Sequence, residues 1–219
     1  MGICALRDSA YGVQTGIRAI HSRWTNDLTS SSPSSSRASP RRLPKLTALL
    51  ACLERQEHPQ LEVLVYIDNC KRVLGFKRNA LMREAQGKFV AHIDDDEMLA
   101  EDYFTALLPA LNEDVDLVAY DASVSLNGSP EFKVTTGIGL ENQQPRTLPG
   151  GRYSDITRTP WHWCAWRREL ALQCSFPLVH DGAEDAFFLR QALPLVRSWR
   201  KVDRVLFFHR YDHSDSTFS

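Results

Sequence analysis

Three consecutive aspartates, Asp94, Asp95 and Asp96, lie in the stretch "VAHIDDDEML", directly after an apolar run that reads as a buried strand. On extended backbone, residues two apart point the same way, so Asp94 and Asp96 share a face. Two carboxylates held close repel, and one tends to take up a proton. A divalent cation removes that conflict, and hard Mg²⁺ or Mn²⁺ prefers carboxylate and phosphate oxygens. The bland alternative is a solvated acidic turn. Three further features could join such a site. Asp68 ends a second apolar run, "LEVLVYID". Glu184 and Asp185, in "GAEDAFF", open a helical pattern and are either first-turn acids that suit a helix N-terminus or a general base held at a rim. His209 ends "RVLFFH", and His213 follows it in a polar tail; imidazole is a frequent metal ligand.

The elements around these residues follow from periodicity. Leu46, Leu49, Leu50 and Leu53 recur at helical spacing, with Pro44 suited to a first turn. Residues 61–68 and 88–94 are apolar runs of the kind buried on both faces of a sheet. Residues 75–87 read as a helix between two glycines. Residues 101–112 read as a helix that Pro109 should kink or shorten. Residues 116–126 and 131–136 read as strands joined across Asn127-Gly128. Residues 137–160 read as a loop, and "WHWCAWRREL" (161–170) as a strand entering a short helix. Residues 184–196 form a helix that should end near Pro194, and 204–210 a last strand. Alternating helices and strands predict an α/β sheet flanked by helices. In such sheets ligands bind at the carboxyl ends of strands, which is where Asp68 and Asp94–Asp96 fall.

Residues 1–43 differ from this body. "TSSSPSSSRASPRR" (29–42) is too polar to offset the entropy of ordering it. The sequence therefore divides into a low-complexity leader, 1–43, and a domain, 44–219. At 219 residues, 43% of them hydrophobic, one core is expected. A net charge of −1 gives no pull toward nucleic acid or anionic lipid. Five cysteines without a CxxC pair fit a reducing compartment, and no apolar run reaches the length of a membrane span. These features predict a cytoplasmic protein.

Taken in order, Asp68, "GFKRNALMREAQGKFVAHIDDDEM", "WHWCAWRREL", "GAED" and a C-terminal strand with His resemble the GT-A fold glycosyltransferases, and among them the inverting family 2. The resemblance covers roughly 44–219 and implies a Rossmann-like mixed sheet. It implies that Asp68 contacts the nucleotide base and that Arg78 lies near the nucleotide. Asp94 would face the ribose, with Asp95 beside it. Asp96 and His209 would hold Mn²⁺ or Mg²⁺. Asp185, next to Glu184, would be the general base, and Trp161 or Trp163 would stack on the acceptor unless both simply pack in the core. The partners implied are a nucleoside-diphosphate sugar and an acceptor hydroxyl.

One departure stands out. The family opens with an apolar strand ending in Pro-Ser or Pro-Thr that holds the nucleotide, and here the serine-rich leader occupies that place. "GICAL" (2–6) lies some forty residues too early unless a long excursion returns. With suitable serine codons, the bases encoding "SPSSSRASP", read one base earlier, spell Leu-Thr-Ile-Leu-Ile-Pro-Ser-Leu-Pro, the missing strand in another frame. The nucleotide sequence of codons 31–43 tests this, and other serine codons would end it. Two other classes compete: a non-catalytic sugar-nucleotide or glycan-binding module, and a nucleotidyltransferase with a similar sheet, whose usual Gly-rich basic loop is absent.

Overall fold

The computed structural model describes residues 2–6, 16–21, 42–56, 58–67, 72–179 and 183–212. Asp68, His213 and most of the serine-rich segment lie outside the described residues. In chain order the elements are β1 (Gly2–Leu6), β2 (Gly16–His21), α1 (Arg42–Arg55), β3 (Leu61–Ile67), α2 (Leu74–Glu84), β4 (Phe89–Ile93), β5 (Met98–Leu99), α3 (Tyr103–Leu111), β6 (Leu117–Leu126), β7 (Phe132–Thr136), β8 (Ile156–Arg158), β9 (Ala165–Arg167), α4 (Arg168–Ala171), α5 (Glu184–Ala192) and β10 (Trp199–Tyr211).

The strands form one mixed sheet in the order β2-β3-β1-β4-β9-β6-β10-β5, with β7 pairing β6 and β8 pairing β7. β1 is antiparallel to both β3 and β4, and β9 is antiparallel to both β4 and β6. β10 runs parallel to β6. Hence β3, β4, β6 and β10 all point one way, and their carboxyl ends share one edge. β4 is buried throughout, as its largely apolar run predicts.

Leu49, Leu53, Phe104, Leu107 and Leu111, the apolar faces of α1 and α3, lie in the core. Pro109 sits inside α3, which ends two residues later. The β6–β7 hairpin turns at Asn127 and Gly128, both with positive φ, the conformation an Asn-Gly turn supplies. Residues 137–160 are not loop throughout, because β8 adds a short parallel strand to β7. The last strand is longer than its apolar stretch, starting at Trp199.

The leader differs from expectation. Gly2–Leu6 and Gly16–His21 are strands of the main sheet, and α1 begins at Arg42, so the break at residue 43 does not separate leader from body. Gly2–Leu6 fills the slot between β3 and β4 in the antiparallel sense. Without a strand there, two buried strands would each leave a row of backbone N–H and C=O groups unpaired.

A charge cluster around the buried Asp121 locks the far half of the sheet. Asp121, on β6, is in contact with Lys201 of β10 and lies 2.8 Å from Lys133 of β7. It also accepts the Thr136 N–H at 3.0 Å. Burial alone would raise the Asp121 carboxyl, but the two lysines and this N–H bring it below its ordinary value. A carboxyl lowered on folding contributes stability above its unfolded pKa, about 4, and that stability is lost as pH falls through the folded value. Asp121→Asn should therefore flatten the acid limb of a Tm-against-pH profile as well as lower Tm near neutrality. An unchanged acid limb would show that the cluster contributes nothing.

Candidate functional site

The edge formed by the carboxyl ends of β4 and β10 gathers most of the residues singled out by sequence. β4 ends at Ile93, so Asp94–Asp96 leave the sheet there, half-buried, in a turn closed by the Glu97 N–H donating to the Asp94 carbonyl at 3.2 Å. The centre of the site is Arg78 of α2, whose side chain is wholly buried. Its Nη2 lies 3.2 Å from both Asp94 carboxylate oxygens, and its Nη1 bonds Asp185 Oδ1. One guanidinium thus ties the end of β4 to the first turn of α5. Arg78 is enclosed behind these two carboxylates.

The sequence folds this way locally for three reasons. Asn79, the next residue on α2, donates to the Phe176 carbonyl at 2.8 Å and accepts the Phe176 N–H at 2.9 Å. That pair of bonds fixes Phe176 beneath the Arg78 guanidinium, 5.1 Å from ring centre to Cζ. Gly75 permits the approach, since a Cβ there would lie 2.0 Å from the Pro177 carbonyl oxygen. Gly75→Ala should push this segment away and cost about 1–3 kcal/mol, measured by chemical denaturation; a neutral substitution would refute so tight a contact. The first turn of α5 supplies the third reason. Its cap residue is Ala183, which offers no side-chain bond, and the Asp185 carboxylate turns to Arg78 instead.

His162 was not anticipated. Its Nδ1 lies 3.2 Å from Asp185 Oδ1, and its carbonyl accepts the His92 N–H at 3.3 Å, which seats residues 161–164 beside β4. His92 and His162 are buried and both are held well below the ordinary imidazole value, by burial first and by the Arg78 charge second. Both are neutral near pH 7. The contacts of Asp185 with Arg78 and His162 both fall on Oδ1. Glu184 is buried, with Oε2 lacking a hydrogen-bond partner.

Sequence reading also passed over Glu97. Antiparallel pairing of β5 with β10 sets Phe208 against Met98, which brings Glu97 to His209. His209 Nδ1 is in hydrogen-bond contact with Glu97 Oε1. Burial raises the Glu97 carboxyl to about 7 even against the His209 contact, helped by Asp94 and Asp96. Burial would lower the His209 imidazole, but Glu97, Asp96 and Asp94 carry it above its ordinary value. A signal existed in the sequence: Glu97 extends the run to four acids.

The two tryptophans separate. Trp163 is 5% exposed, stacked on Phe207 at 4.6 Å and 14°, and its carbonyl accepts the Tyr120 hydroxyl. It is a core residue and has no open face for an acceptor. Trp161 is only partly buried, with the Arg158 guanidinium 3.7 Å from its ring centre.

For a divalent cation, no group of three His, Cys, Asp or Glu side chains converges among the described residues. Mg²⁺ and Mn²⁺ do not require one where a phosphate ligand supplies the remaining oxygens. Asp96 and His209 lie within electrostatic reach of each other. With Nδ1 engaged by a carboxylate, His209 has the orientation that metal-bound imidazoles commonly take, leaving Nε2 for the ion. The donor set fits a cation with few protein ligands.

No protein-family model matches the sequence, and no curated protein matches it. Solved structures do. Staphylococcus aureus TarS, residues 1–349, in complex with UDP-GlcNAc, superposes with a TM-score of 0.57 at 15% identity, covering 80% of this chain and 58% of that one. The same protein in complex with UDP gives a TM-score of 0.52 at 16% identity over 78% of this chain and 58% of that one. The longer TarS structure gives 0.56 at 16% identity, with 35% of its length covered. This chain thus spans little more than half of the shorter TarS chain. No helix among the described residues is long and apolar enough to cross a membrane. At this identity the likeness establishes architecture, and the chain has the GT-A fold: a mixed sheet flanked by helices, with its candidate site at the carboxyl edge.

Proposed function

We propose that the chain is a glycosyltransferase that moves a sugar from a nucleoside-diphosphate sugar to an acceptor hydroxyl. One observation carries this reading: Arg78 brings Asp94 and Asp185 together at the ligand edge of a fold shared with a protein solved with UDP-GlcNAc and UDP. Asp94, Asp95 and Asp68 serve the nucleotide end of the donor. Asp185 Oδ2 accepts the proton of the acceptor hydroxyl while Oδ1 stays bonded to Arg78. The acceptor oxygen then attacks the anomeric carbon from the face opposite the diphosphate, which leaves with inversion. Asp96 and His209 would hold Mn²⁺ or Mg²⁺, which when bound neutralises charge on the departing diphosphate. Glu97 orients the His209 ring. Trp161 lines the acceptor side.

A panel of UDP, UDP-GlcNAc and other nucleotide sugars, each with and without Mn²⁺, tests donor binding by thermal shift. A rise in Tm that needs Mn²⁺ and is lost in Asp96→Ala is expected. No shift with any nucleotide would oppose the reading.

A non-catalytic nucleotide-binding module is a second reading, favoured by β1. Because β1 is antiparallel, Gly2 stands opposite Ile93 at the ligand edge, where the family resemblance implies a Pro-Ser strand end. Donor binding without diphosphate release would mark the module.

A further inference from the structure

Arg158 has no role in the chemistry above, and its surroundings are unusual for an arginine. It ends β8 and is half-buried. Its guanidinium lies 3.7 Å from the Trp161 ring centre and 5.7 Å from that of Trp163. Its Nε is buried and has no hydrogen-bond partner, and no ion pair or hydrogen bond engages the group among the described residues. Burial lowers its pKa, and no carboxylate offsets that loss. Contact with a ring face satisfies none of the five N–H donors of a guanidinium. Its charge nonetheless reaches His162, the imidazole beside Asp185. Arg78, the buried arginine of this site, is already committed to its two carboxylates.

We propose that Arg158 anchors an anionic group, a phosphate or a carboxylate, carried by the acceptor and seated against Trp161 beside Asp185. A guanidinium matches the paired oxygens of either anion with two parallel N–H bonds, which an ammonium cannot reproduce. The aromatic faces hold the fork without using its donors. The acceptor is therefore one that carries an anionic group, in place of a neutral sugar. This rests on the transferase reading, and the donor arm of the experiment separates the two.

The test is equilibrium binding of sn-glycerol 3-phosphate, glucuronate and neutral glycerol to the full chain, followed by tryptophan emission and calorimetry. The wild type should bind at least one of the two anions saturably and glycerol not at all. Whichever anion binds tighter distinguishes phosphate from carboxylate. R158Q should weaken that binding by about tenfold or more, with R158K intermediate, while UDP affinity stays within about twofold. Should R158Q not fold, judged by circular dichroism, R158K and the anion-against-glycerol comparison decide. Failure of both anions to bind, equal binding by the variants, or an equal loss of UDP affinity in R158Q would each overturn the proposal. Anion binding in a protein that ignores every nucleotide would sustain the Arg158 site and remove the transferase reading.

Discussion

Asp185→Asn is expected to lower turnover by about 10²–10⁴-fold while leaving donor binding nearly unchanged. The substitution keeps the shape and one carbonyl oxygen, so Arg78 can still bond it, but it removes the basic lone pair from Oδ2. His162 does not replace it: its Nδ1 faces the same Oδ1 that Arg78 holds. Steady-state kinetics should therefore show the loss in kcat, with KM for the donor little altered. Turnover equal to the wild type would remove Asp185 from the role.

The second large effect concerns stability. Arg78→Met should destabilise the fold by about 3–5 kcal/mol, because it leaves two partly buried carboxylates facing each other without the charge between them. The wild-type arrangement depends on reach in two directions, with Nη1 on Asp185 and Nη2 on Asp94. Arg78→Lys supplies one compact charge and cannot span both partners, so it should recover only part of the loss. Urea unfolding of the three proteins measures this. A Met variant as stable as the wild type would mean that the pair with Asp94 and Asp185 is worth no more than a hydrophobic contact. Lost stability in Arg78→Met should be accompanied by lost turnover, since α5 is then no longer tied to β4.

Much of the sheet was legible because its strands are buried on both faces and therefore written as largely apolar runs. Residues 61–67 and 89–93 are of this kind, with one polar residue each, Glu62 and His92. The Asn127-Gly128 turn was legible because its backbone conformation demands those residues. β8 was not, since three residues in a polar stretch carry no period of their own and gain a strand only by pairing with β7. The place of Gly2–Leu6 was hidden for a related reason: strand insertion depends on an unpaired slot far away in sequence.

In the site, the carboxylates were visible from their position after apolar runs. Their pairing partners were less so. Arg78 was located, but its burial was not, because nothing in "GFKRNALMREAQG" says which of its basic residues turns inward. His162 stood between two tryptophans and read as part of an aromatic segment. Glu97 was masked by the three aspartates before it. Its link to His209 comes from a two-residue strand that no sequence pattern could announce.

Release of nucleoside diphosphate from a panel of nucleotide sugars, with Mn²⁺ and a mixture of acidic and neutral acceptors, tests the central claim most directly. The predicted result is Mn²⁺-dependent release by the wild type with at least one donor, abolished in Asp96→Ala and reduced by about 10²–10⁴-fold in Asp185→Asn. No release with any donor, or release that survives both substitutions, would contradict it.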